Sequence, residues 1–181
     1  MRKVVVDTDT GVDDALALML LAADSDVEIL AVLSVFGNTH GDRAADNARY
    51  VLDTCGRQDV PVYRGAVAPL VQELRLSAGV HGDDGFGNTG LLPQTPVPAE
   101  PGAVPVLLDL VDAHDGEIDY VALGPQTNLA TALRSEPRLM ERLRSTTIVG
   151  TLGPALYHDT EPWADRRFRV SRDPNVSFDI D

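Results

Sequence analysis

The chain has 181 residues and a mass of 19.4 kDa, which is enough for one domain with a real core. Hydrophobic residues make up 44% and charged residues 24%, a balance too apolar for disorder. Asp and Glu number 28 against 15 Lys and Arg, a net charge of −13. Such a chain is repelled by phosphate backbones and by anionic membranes, so partnership with nucleic acid or membrane is not expected. The single cysteine, Cys55, has no internal partner for a disulfide. No stretch reaches the roughly 18 apolar residues of a membrane span. The apolar run before Asp7 is too short for a signal peptide, and the expected location is cytoplasmic.

Taken in order, KVVVDTD (3–9) is a β-branched run and predicts a buried strand. VDDALALMLLAA (12–23) predicts a helix with two Asp in its first turn, where the helix dipole favours them. VEILAVLSVFG (27–37) predicts a second strand. GDRAADNARYVLDTCG (41–56) predicts an amphipathic helix closed by Gly56, and VPVYRG (60–65) a short third strand. Residues 66–101 are rich in Gly and Pro and read as a long functional loop. A helix over 102–114, a strand over 117–124, a helix over 127–137 capped by Thr127 or Asn128, and a strand over 146–153 follow. The β-α-β-α-β order implies an α/β fold: a mostly parallel, Rossmann-like open sheet with helices on both faces. No repeat or second domain is visible over 1–181.

DTDTGVDD (7–14) places four carboxylates within eight residues. Asp7 and Asp9 alternate about Thr8 and so share a face of an extended strand. They stand at the carboxyl end of the first strand, where open parallel sheets bind ligands. Asp13 and Asp14 return at the next helix, with Gly11 allowing a tight turn between. Carboxylates gathered in one crevice raise one another's pKa unless a cation neutralises them. The natural partner is a hard divalent cation with oxygen ligands, calcium or magnesium before zinc. The plainer alternative makes Asp13 an N-cap, Asp14 a dipole partner and Asp7 and Asp9 solvated loop residues, but capping accounts for one or two of the four carboxylates and not for all.

VVVDTDTGVDDALAL resembles the N-terminal signature of the inosine–uridine-preferring nucleoside hydrolase family. SVFGNTH (34–40), HGDDGFGN (81–88) and DYVALGPQTNLATAL (119–133) are similar to three further motifs of that family, in the right order. DPNVSFDID (173–181) resembles its Glu-Phe-Asn stretch more loosely. The resemblance implies hydrolysis of the N-glycosidic bond of ribonucleosides, with a calcium ion that binds the ribose 2′- and 3′-hydroxyls and the attacking water. It implies Asp9 as general base and metal contact, Asp14 as bidentate metal ligand, and Leu123 as a backbone-carbonyl ligand. It places Asp13 and Asn38 on ribose hydroxyls, joined by Asn175 and by Asp173 where the family usually has Glu. His81 falls on the nucleobase side, and Asp7 supports the metal ligands.

Family members are longer, and a further ligating Asp and a leaving-group His lie in their C-terminal part. None of His40, His81, His114 and His158 matches that His by position. The expectation is therefore a fragment, a split enzyme completed by a second chain, or a non-catalytic relative that binds calcium or ribose. A surface left bare by the missing part predicts self-association.

Four Arg at 166, 167, 169 and 172 read as a solvated face against the acidic surface. The sharper alternative is a phosphate site, which turns the substrate from nucleoside to nucleotide. Trp163 and Tyr157 are packing or rim aromatics, with stacking on a nucleobase as the alternative. A competing enzyme class is the haloacid-dehalogenase type of phosphatase, which also starts from a strand ending in Asp-x-Asp, here Asp7 and Asp9. It needs a later Lys or Arg, and the only Lys is Lys3.

Overall fold

The computed structural model describes residues 1–150. Five strands form one sheet: β1 (Arg2–Thr8), β2 (Val27–Ser34), β3 (Val62–Tyr63), β4 (Ile118–Ala122) and β5 (Ser145–Ile148). All pairings are parallel, in the order β3-β2-β1-β4-β5. The six helices among the described residues are α1 (Val12–Ala23), α2 (Gly41–Thr54), α3 (Ala78–His81), α4 (Ala103–Ala113), α5 (Thr127–Ser135) and α6 (Leu139–Arg142). The expected parallel α/β sheet with helices on both faces is the architecture observed.

Alternation along β1 explains the two layers. Val4 and Val6 point into a core made with Leu18 of α1 and Ala48 and Leu52 of α2. Val5 points the other way, into a core made with Leu107 of α4, Leu129 of α5 and Leu139 of α6. A strand buried on both faces must be apolar on both, hence the unbroken valine run. The chain winds outward from β1 to β3, then returns across β1 to lay down β4. That reversal puts the switch point of the sheet at the carboxyl ends of β1 and β4, where such sheets usually bind ligands.

Differences from expectation have local causes. The second strand ends at Ser34 rather than 37, because the chain turns away at Gly37. The third strand shrinks to two residues that pair with β2. The 66–101 segment carries a single turn of helix, α3, and α6 is a second short helix with no periodicity long enough to announce it. The α2 helix ends as expected: Gly56 follows the C-cap Cys55 with φ +71°. On α1, Val12, Leu16, Met19 and Leu20 are exposed at helical spacing. No helix among the described residues is long and apolar enough to cross a membrane.

The amino end of the sheet is tied by Asp119 of β4. Its carboxylate accepts from Arg2 of β1 (2.8 and 3.0 Å) and from Arg144 Nε (2.9 Å) and Ser145 beside β5. The Arg144 hydrogen bond comes first in holding this carboxyl far below the usual range. A depressed carboxyl contributes stability above its unfolded pKa and loses it as pH falls through the folded one. Both Arg side chains are largely exposed, so solvent screening limits the contribution. Asp119→Asn is expected to cost about 1–2 kcal/mol at pH 7, and urea unfolding should show that gap closing as pH falls below 4. A gap that stays constant with pH would contradict the assignment.

Candidate active site

Asp7 and Asp9, on the last turn of chain at β1's carboxyl end, are both 2% exposed, so neither is a solvated loop residue. Asp7 lies on the Val5 face. Its carboxylate accepts from the Tyr120 hydroxyl of β4 and from Asn128 Nδ2 (2.9 Å). Burial pushes its pKa up to about 7, against both hydrogen bonds. Burial and the Asp7 charge raise the Tyr120 hydroxyl in turn. Asn128 Nδ2 also donates to the Ser34 carbonyl, and its Oδ1 accepts from Ala66 N–H, both at 2.9 Å. One buried amide thus joins β1, the end of β2 and the chain after β3. This corrects the expectation of a cap: the N-cap of α5 is Gln126, whose side chain donates back to Gly124 O rather than capping the helix, and Asn128 is buried inside the helix.

Asp9 sits in a cradle of two glycines. A Cβ on Gly37 would lie 2.1 Å from its Oδ2, and a Cβ on Gly124 would lie 2.9 Å from its Oδ1 and backbone nitrogen. Only the absent side chains let the β2 and β4 loop ends close on it. Asp14, in the first turn of α1, is 5% exposed. Its Oδ2 accepts from Gly11 N–H (2.7 Å) and from Asn38 Nδ2 (2.9 Å). The backbone N–H of Asn38 donates to Asp9 Oδ2 at 2.7 Å. A single asparagine therefore bridges the two buried carboxylates, main chain to one and side chain to the other.

The electrostatics are unbalanced. Burial raises the Asp9 carboxyl well above its usual range, and the charges acting beside it, those of Asp14 and Asp13, raise it further. Burial likewise raises Asp14, and the Asp13 charge adds to it. The pair therefore calls for a proton or a cation. Among the described residues no group of three or more His, Cys, Asp or Glu side chains is gathered to hold a metal. Two carboxylates, with whatever carbonyls lie at the strand ends, are what this part of the chain provides.

The remaining expected residues fall around this pair. Leu123 follows β4 directly; its N–H donates to Asp7 O (2.7 Å), and its neighbour Gly124 abuts Asp9. Asp13 is exposed on α1. His81 closes α3; its Nδ1 accepts from Val12 N–H at 3.4 Å and stands 3.9 Å from Asp13 Oδ1. The expected tight turn between Asp9 and Asp13 is made with ordinary extended angles at Gly11 (φ −90°, ψ −164°), so it does not need glycine's conformational freedom. The role of Gly11 is closeness: a Cβ there would lie 2.6 Å from Asn38 Nδ2 and 2.9 Å from His81 Nδ1. Asp173, Asn175, Tyr157, Trp163, His158 and the Arg group at 166–172 lie outside the described residues.

Sequence reading missed Tyr120, Asn128, Gly37 and Gly124. A tyrosine in a strand reads as core, and Asn128 as a cap. The glycines carry a usable signal, because both stand where an apolar strand run ends.

Comparison with known proteins bears on the whole arrangement. The sequence profile described as inosine-uridine preferring nucleoside hydrolase matches residues 4–166. The inosine-uridine preferring nucleoside hydrolase of Leishmania major is 34% identical over 178 residues, covering 97% of this chain and 55% of that protein. The pyrimidine-specific ribonucleoside hydrolase RihB of Escherichia coli is 32% identical over 151 residues, covering 82% of this chain and 47% of that protein. Among solved structures, a plant nucleoside hydrolase, the PpNRh1 enzyme, superimposes with a TM-score of 0.82 at 31% identity, covering 98% of this chain and 54% of that one. A purine-preferring ribonucleoside hydrolase from Gardnerella vaginalis superimposes with a TM-score of 0.83 at 27% identity, covering 99% and 55%. The chain spans about half the length of the curated relatives it matches.

The network around Asp7 orders two substitutions. Asn128→Ala removes both donated hydrogen bonds and is expected to cost about 2–3 kcal/mol. Asn128→Asp sets a second carboxylate against Asp7 and should cost more, roughly 3–5 kcal/mol. Urea unfolding at pH 7 measures both, and the reverse order would contradict a network centred on Asp7.

Proposed function

The chain belongs to the inosine-uridine preferring nucleoside hydrolase family, and from that membership we propose that it serves hydrolysis of the N-glycosidic bond of ribonucleosides, with calcium as the metal and Asp9 as general base. The observation that carries this reading is the buried Asp9–Asp14 pair, bridged by Asn38 at the carboxyl end of β1. Among the described residues, what meets its two carboxylates is hydrogen bonding from the Gly11 N–H and from Asn38. An all-oxygen donor set of this kind suits a hard divalent cation. Asp9, Asp14 and the Leu123 carbonyl are the groups this chain offers it.

When bound, the cation supplies positive charge for the ribose diol and makes an attacking water easier to deprotonate. Asp9 accepts the proton of that water as its oxygen bonds to the anomeric carbon and the bond to the base nitrogen breaks, the electron pair leaving with the base, which takes a proton from solvent. Asp9 and Asp14 also set negative charge beside the sugar, which develops oxocarbenium character as the bond breaks. Asn38 and Asp13 hydrogen-bond the ribose hydroxyls, together with Asp173 and Asn175. His81, over Gly11 and beside Asp13, faces the nucleobase side. Asp7 works from below, holding the end of β1 to β4 and α5.

One observation favours a second reading. Asp9 and Asp14 are drawn together through Asn38, and a chain with that pair can bind the cation or ribose and reach full turnover with a completing second chain or a second copy. The exposed apolar residues of α1 are a surface for that contact.

The test measures base release from a panel of ribonucleosides and their 5′-monophosphates, with calcium and with chelator. Calcium-dependent release that falls about 10²–10⁴-fold in Asp9→Asn is the expected result. Release from monophosphates alone would move the substrate class to nucleotides. No release by the chain, joined to calcium-dependent thermal stabilisation that Asp14→Asn abolishes, would replace the hydrolase with the binding reading.

A further inference from the structure

The loop that carries His81 has almost no regular structure, yet its backbone carbonyls are not left to solvent. Thr39, Arg43 and Asn47 stand at four-residue intervals, so they form one stripe along the start and first turns of α2. Each donates to that loop. Thr39 Oγ1 reaches Asp83 O at 2.8 Å, Arg43 Nη2 reaches Leu91 O at 2.7 Å, and Asn47 Nδ2 reaches Asp84 O at 2.8 Å. The loop folds on itself about the Asp84 carboxylate, which accepts from the N–H groups of Phe86, Asn88 and Gly90 at 2.8 Å each.

Asn47 differs from its two neighbours in the stripe. It is 1% exposed, and its Nδ2 has a second acceptor, Thr10 O at 3.0 Å, in the turn between Asp9 and Asp14. Its Oδ1 has no partner among the described residues. Turning the amide over would aim that oxygen at two carbonyls, so the orientation is dictated by the two acceptors. The loop lies flush on this side chain: a Cβ on Gly85 would stand 2.8 Å from Asn47 Nδ2. One buried NH2 group therefore ties the acidic turn to the loop whose first residue, His81, meets Val12 and Asp13.

We propose that Asn47 is a positioning residue that holds the His81 loop against the Asp9–Asp14 turn. The consequence for substrate rests on the glycosidase reading above; the positioning itself does not. Two variants separate donor loss from volume loss. Asn47→Ala removes the side chain, whereas Asn47→Asp keeps its size and removes both donors. Val51→Ala is the control, a core residue on the same helix whose contacts are with the apolar layer.

The first readout is native-state amide exchange of Phe86, Asn88 and Gly90. The second is the ¹H–¹⁵N signal of the His81 imidazole, with His114 as the remote reference. Both Asn47 variants are expected to speed exchange at the three amides at least tenfold and to shift the His81 signal, leaving His114 in place. Val51→Ala should do neither. If wild-type chain releases base, KM should rise about tenfold in the Asn47 variants with a smaller change in kcat. Unchanged His81 signals, with or without faster exchange, would overturn the proposal, as would equal shifts in Val51→Ala. Failure of wild type to release base would sink the glycosidase reading alone, since exchange and the His81 signal still decide the role of Asn47.

Discussion

Two carboxylates buried side by side are the constraint around which this fold is arranged. Asp9 and Asp14 repel each other in a medium that screens poorly, and burial alone already disfavours their charge. Among the described residues the answer is hydrogen-bond donors. Asn38 gives its N–H to one and its amide to the other, and Gly11 gives its N–H to Asp14. These bonds reduce the cost without neutralising the charge. A pair left in that condition favours a proton or a cation beside it.

Bringing the pair together depends on strand order. β1 is central, and the chain reverses across it between β3 and β4, so the loop ends after β2 and β4 converge on Asp9. Their approach is closer than any side chain permits, which is why Gly37 and Gly124 stand there. Beneath, Asp7, Tyr120 and Asn128 fasten the ends of β1, β2 and β4 to one another. The apolar alternation of β1 and the polar cluster at its end are thus one design: the valines hold the strand between two cores, and the held strand sets its carboxylates at the switch point.

The site is also assembled from elements of unequal rigidity. β1, β2, β4 and α1 are anchored by core packing. The His81 loop has little apolar content and depends on hydrogen bonds from α2. A loop held this way can be placed accurately only if its buried carbonyls find donors, and Thr39, just before α2, with Arg43 and Asn47 on it, provides them. The half of the family fold that this chain spans therefore contains both a rigid carboxylate floor and a separately fastened rim.

Much of this was legible in the residues. The valine run of β1, the apolar periodicity of α1 and α2 and the alternation of strands with helices determine a parallel α/β sheet, because burial on two faces demands that pattern. The packing of four Asp into 7–14, next to a strand end, marks the site, because charges so close have few structural uses. The family motifs follow from the letters themselves. What the sequence left open depends on contacts between residues far apart in it. Asn128 looks like a cap until Asp7, 121 positions away, is found accepting its hydrogen bond. Asn47 looks like one more polar helix residue until Thr10 and Asp84 are found on either side of its amide. Gly11 reads as a turn former, whereas its backbone is ordinary and the space it leaves for Asn38 and His81 is what matters. Local composition determined which groups this protein has for chemistry; tertiary structure alone decided which of them are buried, which are bridged and what holds them there, because those properties belong to pairs of residues that only the fold brings into contact.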